Sequence, residues 1–149
     1  MRGNNGPKKR FSTGFKAGLW ATGGMTLIML LGTFTGVAPM PKPIPIALAK
    51  LVLGNVAFPV LVVSGLIAHF AYGGVAGGIF TRWSPAVRVW SALVWGIVLW
   101  LGMQVIFLPL LGWGVFGAKI NPRIAVATFI LHLIYGSILG GVASKTTRK

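Results

Sequence analysis

Four stretches of this chain carry no charged residue: between Lys16 and Lys42, between Lys50 and Arg82, between Arg88 and Lys119, and between Arg123 and Lys145. The shortest holds 21 residues, about 31 Å as an α-helix and close to the hydrocarbon thickness of a bilayer. Asp and Glu are absent, and only 9% of the 149 residues are charged, against roughly 25% in an average soluble chain. So few charges cannot coat a water-facing surface, but they can mark the ends of membrane helices. The pattern predicts an all-α integral membrane protein with four transmembrane helices. The spans fall at about 17–38, 55–80, 89–110 and 124–144, with a basic tail at 1–16 and another at 145–149.

The first apolar run is longer than the roughly 7–15 residues of a cleavable signal core, so it reads as a retained span. Pro-rich "PMPKPIPIALAK" cannot be one regular helix; it predicts an extended loop and a short interfacial helix before span two. Pro109 and the glycines of "LPLLGWGVFG" predict that span three ends near Leu110 in an interfacial loop. Alternating spans place ten basic residues on the side of the termini and four on the other. The positive-inside rule then predicts cytoplasmic N- and C-termini. Trp20, Trp83 and Trp90 fall near one interface and Trp113 near the other, while Trp95 and Trp100 lie deeper.

The missing residue types exclude several chemistries. No Cys means no disulfide, thiolate metal site or Cys nucleophile. No carboxylate means no paired acid and base, no Ser-His-Asp triad, no acidic cation site and no internal salt bridge. The expectation is a protein that is not an enzyme. The formal charge of +14 needs anionic lipid headgroups or acidic partner subunits, with Lys8, Lys9, Arg10, Lys16, Arg82, Arg88 and Lys145 as the contacting groups. These residues sit at segment ends and form no stripe, so nucleic acid is not an expected partner.

One segment occurs twice. "HFAYGGVAGGIFTR" starts at His69 and "HLIYGSILGGVASK" at His132, with His, Tyr and three Gly in register. Each ends the second helix of a hairpin, which predicts two like hairpins arranged as a parallel repeat. Each His lies 13 residues before a basic anchor, Arg82 or Lys145, so both imidazoles are expected at one depth. Gly65, His69, Gly73 and Gly77 share a helix face, as do Thr128, His132, Gly136 and Gly140. Such small-residue stripes let helices approach closely in lipid, spans two and four either packing on each other or each on its hairpin partner. A flat slot for a ring is the alternative reading of the glycines. Tyr72 and Tyr135 flank the same faces. The histidines read either as neutral imidazoles bonded to a carbonyl or a Tyr hydroxyl, or as ligands of one haem b iron or of chlorophyll-type pigments. Proton transfer or substrate contact completes the alternatives. Gln104 and Asn55 are the other polar residues at depth and are expected in interhelical hydrogen bonds. Met25, Met29 and Met103 read as fillers.

"GLWATGGMTLIML", the Pro-bearing loop, "LIAHFAYGGVAGG", the Trp-rich third span and "FILHLIYGSILGG" together resemble a family of small four-span membrane proteins of bacteria and archaea, classed as a domain of unknown function. The likeness covers about residues 15–144, and His132, Tyr135 and Gly136 carry its most specific motif. It implies a multi-pass protein of a prokaryotic inner membrane and brings no activity. The lack of acids and the basic tail depart from that family's pattern. The first functional expectation is a non-catalytic accessory subunit of a respiratory or photosynthetic membrane complex. A homo-oligomeric transporter or channel for anions or neutral solutes is the second, and a haem or pigment carrier the third.

Overall fold

The computed structural model describes residues 6–84 and 86–147; Arg2, Arg148 and Lys149 of the basic tails lie outside them. Among the described residues the fold is all-helical. Helix α1 runs Pro7–Phe34, α2 Ile44–Leu53, α3 Phe58–Trp83, α4 Val89–Leu110 and α5 Arg123–Thr147. Helices α1, α3, α4 and α5 are long and apolar enough to cross a membrane. Helix α2 is the short helix expected from the Pro-rich loop, with Pro45 in its first turn, where a missing N–H costs nothing.

Helix α1 starts ten residues before the expected span, so residues 7–16 of the basic tail are helical. Pro7 opens the helix, and Lys and Arg are good helix formers. The extension also packs on α3: Phe11 and Phe15 lie over Gly78 and Gly74. The Thr81 hydroxyl donates to the Arg10 carbonyl at 2.8 Å, and the Arg10 guanidinium donates to the Ser84 carbonyl. Arg10, expected at lipid or a partner, is thus bonded within the chain. Lys8, Lys9, Lys16, Arg82, Arg88 and Lys145 are exposed.

The glycine stripes pack each motif helix against its own hairpin partner. A Cβ on Gly77 would lie 2.9 Å from the Gly18 Cα, and one on Gly73 would lie 3.1 Å from the Thr22 Cβ. Gly136 faces Ala92 and Leu93 in the same way, and Gly140 faces Val89. Gly65 meets the backbone of α2 at Pro45 and Ile46. The two hairpins then join through α1 and α5, where Gly24 receives the Ile138 side chain.

Within α4, residues Met103–Phe107 form a π-helical turn. The wider turn gives α4 two inward faces at this level. Met103 and Phe107 line the bundle's cavity, while Gln104 and Leu108 are both fully buried. Span three ends at Leu110, as Pro109 predicts.

Candidate functional site

Both histidines and both tyrosines of the chain line a single cavity of about 410 Å³. The duplicated motif places them there. Gly73 packs on Thr22, so His69, one turn earlier on α3, comes level with Met25 on the antiparallel α1. On α5 the His132 carbonyl packs on Gly96 of α4. Tyr135, three residues after His132, donates its hydroxyl to the Gly73 carbonyl, four residues after His69, at 2.6 Å. That bond ties α5 to α3 and holds both histidines in one layer of the bundle.

The matched residues have unlike environments. His132 is buried, and its Nδ1 lies 2.8 Å from the Thr128 carbonyl one turn back on its own helix. Of the two outcomes expected for a packed imidazole, His132 takes the carbonyl. His69 has no hydrogen-bond partner for either ring nitrogen among the described residues, although Nε2 is buried; its ring meets Phe70 edge-on. Tyr135 is 3% exposed and bonded, whereas Tyr72 is 44% exposed, meets Phe107 edge-on, and makes no hydrogen bond among the described residues.

The wall is otherwise apolar. Met25, Met29, Met40 and Met103, every methionine after Met1, contribute to it. Met25, Met29 and Met103 are buried in the core, as fillers would be, and they bound the cavity as well; the spacing of four between Met25 and Met29 puts those two on one face. Helix α2 closes one flank through Ile44, Pro45 and Leu48. The cavity reaches the outside of the bundle where Val52 and Tyr72 are exposed. Its lining includes no Lys or Arg, so the expected basic contact residues stay apart from it.

Gln104 makes the expected interhelical bond: its Nε2 donates to the Thr128 Oγ1 at 2.9 Å. Thr128 also receives the Trp100 indole N–H at 3.3 Å and donates to the Ile124 carbonyl at 2.7 Å. Asn55 does not behave as expected. It lies in the α2–α3 connection, exposed and without a partner among the described residues, because Pro59 in the first turn of α3 starts that helix only at Phe58.

Family models, curated proteins and solved structures offer no match to this chain. The likeness to the four-span family therefore rests on the quoted motifs alone. What the site can do follows from its own chemistry: enclose an apolar body and meet it with a few neutral polar groups. Because the Tyr135 bond joins the two halves, Tyr135→Phe is expected to destabilise the bundle by about 1 kcal/mol. Reversible unfolding in mixed micelles measures this; no loss would mean that the contact does not hold α3 to α5.

Proposed function

We propose that this chain is a non-catalytic multi-pass membrane protein that holds a neutral, membrane-partitioning guest inside its helix bundle. The observation that carries this reading is the cavity of about 410 Å³ with both His and both Tyr on its wall and no charged side chain in its lining. Its volume and apolar character fit a small-molecule site. An anion would find no Lys or Arg there, and a cation would find no Asp or Glu. Of the expected transport substrates, neutral solutes therefore fit and anions do not. The exposed flank at Val52 and Tyr72 gives a guest dissolved in the bilayer a sideways route.

A haem or pigment macrocycle strung between His69 and His132 fits less well. The Tyr135 bridge crosses the same pair of helices about one turn away, roughly 5.4 Å along the axis, and a porphyrin is wider than that.

The ten-to-four split of basic residues supports termini in the cytoplasm. Equivalent packing of Gly73 and Gly77 on α1 and of Gly136 and Gly140 on α4 supports two like hairpins. The motif resemblance favours a prokaryotic inner membrane. A role as accessory subunit of a larger electron-transfer complex is the second reading. The exposed Lys8, Lys9 and Lys16 favour it, since they call for anionic lipid or an acidic partner at the helix end.

Binding of an apolar fluorescent probe by the full-length protein in lipid nanodiscs tests the first reading. One saturable site is expected, weakened about tenfold or more by Ala68→Trp, which places an indole at an exposed position of the lining and obstructs the cavity's open side. Non-saturable partitioning that this substitution leaves unchanged would defeat the proposal.

A further inference from the structure

The cavity's polar groups differ in what they have left to offer. Thr22 donates its hydroxyl to the Gly18 carbonyl at 2.8 Å, Ser64 to Val60, Thr128 to Ile124 at 2.7 Å and Tyr135 to Gly73 at 2.6 Å. All four donors are committed. What remains is the His132 Nε2, the His69 ring and the Tyr72 hydroxyl.

The state of His132 follows from its partner. A carbonyl only accepts, so the Nδ1 that meets the Thr128 oxygen carries the proton. The cavity lining holds no Asp or Glu to balance a buried imidazolium, and an uncompensated charge in this apolar setting is costly. The ring is then neutral, and its Nε2 presents a lone pair. No group among the described residues donates to it. The Nε2 is not sealed from the cavity, so a guest that carries a donor can reach it there. The donor is uncharged, since no Asp or Glu lines the cavity to hold a cationic one.

The walls specify the rest of the guest. Met25, Met29 and Met103 present thioethers, and Tyr72 and Phe107 present rings meeting at 6.0 Å. Sulfur and ring edges favour contact with a flat aromatic body. We propose that the guest is a neutral, membrane-soluble phenol or hydroquinone whose hydroxyl donates to the His132 Nε2, with its apolar tail leaving past Tyr72. This assignment rests on the neutral-guest reading of the cavity and adds the hydroxyl and the ring.

The test compares two probes on the full-length protein in nanodiscs under reducing, oxygen-free conditions: a decyl-substituted hydroquinone and its bis-O-methyl ether. The pair shares the ring and tail, but the ether has no O–H. The hydroquinone is expected to bind at least about tenfold more tightly, with the preference lost in His132→Leu. A shift of the His132 Nε2 nitrogen resonance with the hydroquinone, and none with the ether, reads the same contact in the unaltered protein should that variant fail to fold. Equal affinity for both probes overturns the hydroxyl assignment and leaves the cavity reading standing. A preference that persists in a folded His132→Leu variant, or an unmoved nitrogen resonance, overturns His132 as the acceptor. Neither probe binding at a site sensitive to Ala68→Trp overturns both readings.

Discussion

Gly77→Val is expected to cost about 3 kcal/mol of stability, because the seam between α1 and α3 has no room for a side chain there. The Cβ would sit 2.9 Å from the Gly18 Cα and 3.1 Å from its backbone nitrogen. No side chain can swing aside to relieve that contact, because its partner is the backbone of α1. The two helices must separate along the seam, which also carries the Gly73–Thr22 and Gly14–Thr81 contacts. Close backbone approach is what drives helix association where lipid tails are as apolar as the helix surface. Gly102→Ala supplies the contrast. Its Cβ would meet nothing within 4 Å and its φ of −56° is helical, so the substitution is expected to stabilise α4 by roughly 0.5–1 kcal/mol. Equilibrium unfolding of both variants in mixed micelles measures the difference. Equal responses would show that the seam tolerates side chains and that the glycine stripe does not set the packing distance.

Thr128→Val is the second large effect, at about 2 kcal/mol. The substitution keeps the shape and removes the hydroxyl that accepts from Gln104 Nε2 at 2.9 Å. Gln104 is fully buried, and its Oε1 has no partner among the described residues. Losing Thr128 would leave both ends of that amide unsatisfied. Gln104→Leu removes the donor and the unpaired acceptor together and is expected to be nearly neutral, since deleting a buried polar group costs far less than stranding it. The double variant should therefore be more stable than Thr128→Val alone. A double-mutant cycle reads this coupling; strict additivity would mean that Gln104 finds another partner and that the Thr128 hydroxyl is dispensable.

The path from sequence to site was readable at some residues and closed at others. Uncharged length marked where four long apolar helices lie, because a bilayer tolerates few alternatives to a continuous apolar helix. The start of α1 departed most, since basic residues looked like a tail while Phe11 and Phe15 in fact pack over Gly78 and Gly74. Gln104 stood out as a polar residue at depth, and its bond to Thr128 followed the expected logic. The π-helical turn beside it had no periodic signature. It shifts the face of α4 over Met103–Phe107, and only a neighbouring helix and a cavity make that shift favourable. Nor did the repeat reveal its own asymmetry: Tyr135 bridges to Gly73 while Tyr72 faces outward against Phe107.

By itself the sequence determined that this chain is helical, with four helices long and apolar enough to cross a membrane. Charge at helix ends and apolar length are local quantities, and lipid acts on each helix separately. It also determined which faces pack, because residues four apart share a face whatever lies opposite. Tertiary structure alone decided that the glycines of each motif helix meet its hairpin partner, that four methionines and both histidines bound one space, and that among the described residues His132 has a hydrogen-bond partner and His69 has none. Those outcomes depend on which helix stands across the gap, and no property of a single helix encodes its neighbour.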